Sequence, residues 1–251
     1  MADLERPTVP FLYKYGSAEH LDWLRPILLN HQLYFPSPAQ LNDPKDARPR
    51  MIVTDKQGCL RQIVNPFLAV NARLPLDRLA MHVRLMIHMV DRRDLDELAE
   101  LVTPSFHREM VKHRIYSMST RPDNEHLWTN YASDHTGYCL QCVNDGDPFR
   151  FARTVNYGDE TEIDFSNPDS IDSTFLFKKT RTYDPEEEVR ILLFPRGQPH
   201  EVTFDPTLLR RVILGRRMTE PHRAIIRAWC LARSLALPVV DEAEAPDAVP
   251  A

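Results

Sequence analysis

Pro185-Glu186-Glu187-Glu188-Val189-Arg190-Ile191-Leu192-Leu193-Phe194 sets three carboxylates directly against an apolar run. The branched aliphatic content of Val189–Phe194 predicts a β-strand, the strongest strand signal in the chain. Alternation along it puts Glu186, Glu188 and Arg190 on one face. Two carboxylates beside a guanidinium form a set whose charge states and hydrogen bonds can be tuned for catalysis. The same triplet also reads as a solvated acidic turn that protects a strand end.

Working outward, Phe11–Tyr15, Gln32–Phe35, Arg114–Ser119, Gly137–Val143, Phe149–Tyr157 and Arg211–Gly215 carry β-branched, aromatic or alternating residues and read as strands, with Val239-Val240 as an edge strand. Ser17 caps a helix whose apolar face is Leu21, Leu24, Ile27 and Leu28, and Pro26 is expected to kink or shorten it. From Leu76 to Lys112 the spacing is helical, with Thr103-Pro104 expected to start a new helix. Asp123 or Asn124 caps a short helix holding Leu127, Trp128 and Tyr131, and Thr219 caps one running through Ile225, Ile226, Trp229 and Leu235. The strands do not alternate regularly with helices. The expected fold is therefore α+β rather than doubly wound: one domain over 1–241, with a helical block at about 76–112 packed outside the sheet. The Ala, Glu, Pro and Asp composition of 242–251 predicts a disordered tail.

Composition narrows the function classes. The 251 residues are 43% hydrophobic and 27% charged, with 31 Lys and Arg against 36 Asp and Glu, a net charge of −5. Such a chain has no global electrostatic attraction to nucleic acid or an anionic membrane. No apolar run approaches the ~20 residues of a membrane span, and the start M-A-D-L-E-R-P lacks an apolar signal region, so a cytoplasmic protein without a membrane partner is expected. Seven glycines against 21 prolines argue against a glycine-loop nucleotide fold. There is no Walker loop, no H-E-x-x-H and no G-x-S-x-G. Cys139 and Cys142 spell C-x-x-C, but on a strand they point to opposite faces, which favours structural thiols over zinc or redox chemistry. His82, His88, His107 and His113 share no i, i+4 spacing, and no metal site is expected from them.

Polar groups also stand out at Tyr13-Lys14-Tyr15, Ser117-Met118-Ser119 and Asn130-Tyr131-Ala132-Ser133-Asp134-His135. Leu12-Tyr13-Lys14-Tyr15, Leu33-Tyr34-Phe35-Pro36-Ser37-Pro38, Leu41-Asn42-Asp43-Pro44, Trp128-x-x-Tyr131-Ala132-x-x-His135-x-Gly137 and Lys179 followed by Tyr183, Glu186-x-Glu188 and Arg190 together make the chain from about Phe11 to about Gly215 resemble a widespread bacterial family of unknown function, the DUF family numbered 2971. Lys45-Asp46, Tyr183, Pro185 and Val189 depart from its usual residues. More distantly, a basic residue on an opening strand, Ser-x-Ser on a middle strand and Glu-x-Glu before a late strand are similar to the order in mono-ADP-ribosyltransferases.

That resemblance implies a split-sheet core with mixed or antiparallel strands, and NAD as substrate. It makes Glu188 the catalytic acid and Glu186 the acid facing the acceptor, which is a protein, nucleic acid, small molecule or water. Ser117 and Ser119 line the nicotinamide pocket, and Lys14 contacts a phosphate or ribose where the family uses Arg or His. Tyr15 belongs to the same opening-strand contact. Tyr131 is expected to stack on nicotinamide, His135 to bond a ribose or phosphate, and Arg190 to fix the carboxylates within the NAD site. A shared cleft requires Lys14, Ser117, Tyr131 and Glu188 together, and Glu188→Gln is expected to fold normally. Two rival readings stand beside this one. The first is a non-enzymatic interaction or regulatory protein of bacterial defence, with Trp128, Tyr131, His135 and Glu188 as a structural network. The second is a metal-dependent nuclease or phosphotransferase using Glu186, Glu188, Lys14 and His135.

Overall fold

The computed structural model describes residues 4–41, 43, 45–159, 161–193 and 200–242. Among them, seven strands form the main sheet: β1 (Phe11–Gly16), β2 (Arg114–Ser119), β3 (Tyr138–Val143), β4 (Arg153–Thr154), β5 (Glu188–Leu193), β6 (Leu209–Leu214) and β7 (Val239–Asp241). Phe194, Asn42, Pro44 and the expected tail from 243 onward lie outside the described residues. The order across the sheet is β7-β6-β3-β1-β2-β5-β4. All neighbours are antiparallel except β6 and β7, which run parallel. Mixed sheet and helices together make the fold α+β, as the sequence predicts.

Register divides this sheet. All six residues of β1 pair with β3, from Phe11↔Val143 to Gly16↔Tyr138, and all six of β5 pair with β2. Between β1 and β2 the ladder has a single pair, Tyr13↔Ser119. Direct partners share a face, so Tyr13, Ser119, Glu188, Ser117 and Arg190 lie on one side. Leu12, Tyr116, Met118, Val189 and Ile191 lie on the other.

The second face packs on α1 (Leu21–Asn30), through Leu24, Ile27 and Leu28, and on the last helix of the chain, through Ile226 and Cys230. Pro26 sits inside α1 without ending it. α2 (Lys56–Val70), α3 (Leu76–Asp91) and α4 (Leu95–Met110) follow. Leu98, Val102 and Phe106 of α4 bury against Ile115, Phe175, Leu176 and Phe177, which puts the helical block against one end of the first face. Pro104 lies inside α4 rather than starting a helix: Asp94 caps the true start in a capping box, accepting from the Glu97 amide, and the Thr103 hydroxyl donates to the Ala99 carbonyl one turn back.

α5 (Glu125–Asn130), capped by the Asn124 side chain, covers the other end of that face with Leu127 and Trp128 over Tyr13, Tyr15, Cys139 and Ile213. α6 (Glu220–Leu231) stops short of Leu235. The expected Phe149–Tyr157 strand breaks into a 3₁₀ turn at Phe149–Phe151, β4, and a separate piece at Asn156–Gly158. Cys139 packs with Trp128 and Cys142 with Leu12, on opposite faces, and both are free thiols. No helix among the described residues is long and apolar enough to cross a membrane.

Candidate functional site

Between the two apolar patches on the first face lies a buried charge cluster. Its centre is Arg190, with a side chain at 0% exposure. The five guanidinium donors are all used. Nε donates to Glu188 Oε1 at 2.7 Å and Nη2 to Glu188 Oε2 at 3.0 Å. Nη1 donates to Asp46 Oδ1 at 2.9 Å, Nη2 to Asp46 Oδ2 at 2.5 Å, and Nη1 also to the Leu176 carbonyl at 2.7 Å. Arg190 thus grips two carboxylates in bidentate fashion, the arrangement for which a planar guanidinium is suited and a lysine is not.

Lys179 is the second cation. Its Nζ donates to Glu186 Oε2 at 2.6 Å and Glu188 Oε2 at 3.1 Å, lies 3.8 Å from Asp46 Oδ2, and sits over the Tyr183 ring. Tyr131 donates from its hydroxyl to Glu186 Oε1 at 2.7 Å. Glu186 is not on the strand: it ends a 3₁₀ turn over Arg181–Glu186, and Glu187 follows with φ of 46°. The reversal at Glu187 turns its side chain outward to Arg121 while Glu186 and Glu188 both face inward. The solvated-turn reading therefore holds for the middle carboxylate alone.

Burial pushes the Glu188 carboxyl up, but Arg190, Lys179 and a hydrogen bond from Ser117 outweigh it and hold the group at about 2. Burial likewise opposes the charge on Lys179, and Glu188, Glu186 and Asp46 override it, raising its pKa. Lys14 differs. Burial lowers its ammonium to about 8, and the charges of Glu188 and Glu186 recover only part of the loss.

The expected residues therefore separate. Glu188, Glu186, Arg190, Ser117 and Tyr131 meet in one cluster. Lys14 does not share their face: it projects from the opposite side of the sheet, over the Tyr116 ring, and its Nζ turns back to the Ser117 carbonyl at 2.8 Å. That carbonyl lies beyond the single β1–β2 pair, where the two strands diverge. Tyr15 is buried, accepting from the Asn124 amide and donating to the Arg121 carbonyl, edge-on to Trp128. Ser119 is buried at 1% exposure beside Tyr13, with its hydroxyl accepting from the Arg121 amide.

His135 is drawn elsewhere. It stacks on Trp128, and its two ring nitrogens lie 2.7 Å from Glu242 Oε1 and 3.0 Å from Glu125 Oε1. Arg216 joins both of these carboxylates. Glu242, assigned to the tail by composition, is the first residue after β7 and is held in this second cluster. In place of a ribose or phosphate contact, His135 has two internal acidic partners.

Sequence reasoning missed Asp46 and the charge pairing of Lys179. Asp46 lies 144 residues from Arg190, and its only local mark is a turn-rich setting. Lys179 and Arg190 occupy the space among Asp46, Glu186 and Glu188, and among the described residues no group of three or more His, Cys, Asp or Glu side chains is arranged to hold a metal ion. A cavity of about 690 Å³ adjoins the cluster, reaching Asp46 and Lys179 but neither Glu186 nor Glu188. Compared with protein-family models, with curated proteins and with solved structures, the chain matches none.

Proposed function

We propose that the chain is an NAD-consuming enzyme similar to mono-ADP-ribosyltransferases, using Glu188 to break the nicotinamide–ribose bond. The observation that supports this reading is the adjacency of the three motif strands. β1, β2 and β5 lie side by side in that order, and the sheet is split at the β1–β2 seam. The same motif order supports membership in the bacterial family of unknown function named above.

The chemistry needs a fixed anion. When the C1′–N bond breaks, its electron pair leaves with nicotinamide and positive charge builds on the ribose. A carboxylate held ionised at about 2 by Arg190 and Ser117 is preorganised for that charge and needs no reorientation during reaction. On this reading a ribose hydroxyl takes the place of Lys179 at Glu188 Oε2. Glu186, paired with Tyr131, stands on the acceptor side, where water or an acceptor group adds to C1′ and releases its proton. Lys14 lies on the other face of the sheet with its ammonium on the Ser117 carbonyl, so the phosphate contact expected of it is no part of this reading.

The test is incubation of purified protein with NAD while nicotinamide release is followed. Turnover is expected in the wild type and its loss, by about 10²-fold or more, in natively folded Glu188→Gln. Glu186→Gln is expected to retain hydrolysis and lose transfer. Equal turnover by folded Glu188→Gln, or no NAD binding and no turnover by the wild type, overturns the reading.

One observation favours a second reading, a non-enzymatic protein in which the cluster is structural. Every donor of Arg190 and both oxygens of Glu188 are satisfied inside the protein. Under that reading the wild type leaves NAD intact, and the same substitutions change stability alone.

A further inference from the structure

We infer that the cavity beside the charge cluster is a binding site for a nucleoside phosphate, independent of whether the chain turns over NAD. At about 690 Å³ it falls in the size range of sites for drug-sized ligands, and a free amino acid would leave most of it empty. Its floor is formed over the buried side chains of Ala47, Met51, Val53 and Phe175, and the half-buried Ile52 and Ala99 add accessible apolar surface to its lining. A planar base has apolar surface to lie on there.

The rim carries charge of both signs. Asp96 and Glu100 project from one face of α4, one turn apart, and Arg48 and Lys178 come from two other segments. These four are exposed, and among the described residues none of them is drawn into an ion pair. Carboxylates accept from ribose hydroxyls, whereas guanidinium and ammonium groups hold a phosphate. A nucleoside phosphate uses all three features: apolar floor, acidic wall and cationic rim. Inorganic phosphate uses one, and an amino-acid zwitterion fills too little of the volume.

The cavity is also joined to the buried cluster. Asp46 and Lys179 form part of its wall, and both bond or approach the residues that hold Glu188. A ligand that touches Lys179 therefore acts on the same ammonium that Glu186 and Glu188 share.

Calorimetric titration of the full chain with AMP, ADP-ribose, adenosine and inorganic phosphate tests the inference. AMP or ADP-ribose is expected to bind at least tenfold tighter than adenosine or phosphate alone. Arg48→Glu with Lys178→Glu, both on exposed side chains, is expected to weaken AMP binding at least tenfold while the circular dichroism spectrum is unchanged. Thr103→Trp, which fills the cavity from α4, is expected to abolish it, with the same control. Phosphate binding as tight as AMP, an AMP affinity indifferent to these variants, or no binding of either nucleotide by folded wild type overturns the inference. Binding is read without NAD turnover, so failure here leaves the enzyme reading standing, and failure there leaves this one.

Discussion

The carboxylate–cation clusters around Arg190 and around His135 use similar groups in opposite surroundings. Around Arg190, the side chains of Asp46, Glu186, Glu188 and Lys179 are 4–6% exposed. Around His135, the ring is buried at 1% exposure but Glu125 is 69% and Arg216 50% exposed. Desolvation makes the first cluster sensitive to any loss of a partner, because the remaining charges have no water to turn to. In the second, water competes for Glu125 and Arg216 and takes over when a partner goes. A contact of the same length therefore carries very different energetic weight in the two clusters.

The largest break in that contrast is expected from Arg190→Met. It leaves Asp46 and Glu188 buried without their shared cation and should cost about 3–5 kcal/mol, read as a lowered denaturation midpoint in urea. A loss below about 1 kcal/mol would mean that water reaches these carboxylates and that the two clusters are alike.

A smaller effect, resolved by pH, is expected from Glu188. Its carboxyl is held at about 2 against an ordinary value of 4.5, so its folded-state pKa is depressed. The stability it contributes, on the order of 3 kcal/mol, is complete above pH 4.5 and is lost as pH falls toward 2. Glu188→Gln should be less stable than wild type at pH 7 and show a flatter loss of stability between pH 4.5 and 2. The variant is still expected to fold, with a smaller margin of stability than wild type. Parallel acid-denaturation curves for the two proteins would refute the assignment. The smallest effect is expected from Glu125→Gln, in the exposed half of the His135 cluster, where thermal unfolding should not measurably change.

These contrasts bear on what the sequence makes legible. Strand alternation identifies β1, β2, β3, β5 and β6, and the run into Val189 points to the cluster, because a half-buried strand writes its environment with period two. α2 escaped because its buried residues are only Gly58 and Cys59, with Pro66 inside it, so it shows no apolar stripe. Thr103-Pro104 mimics a helix start, whereas the Thr103 hydroxyl bonds the preceding turn and the helix continues. At the site, Glu186, Glu188, Ser117 and Tyr131 share a motif order and do meet. Lys14 fails for a reason of register: Tyr13, not Lys14, pairs with Ser119, and a one-residue offset changes the face. His135 fails because its partners Glu125 and Glu242 straddle it in sequence, and no local spacing marks them as its bonding groups.

The span between Asp46 and Arg190 bears on folding kinetics. Their bidentate bond closes a loop of 144 residues, and β5 pairs along its whole length with β2. A contact of such long range gives nothing back until most of the chain's entropy is already lost. The Arg190 network is therefore expected to form late and to act mainly as a brake on unfolding. Substituting Asp46 by Asn should speed unfolding and leave the refolding rate nearly unchanged, a φ-value near zero. A φ-value near one would place Asp46 in the folding nucleus and make the network an organiser of the sheet from the outset.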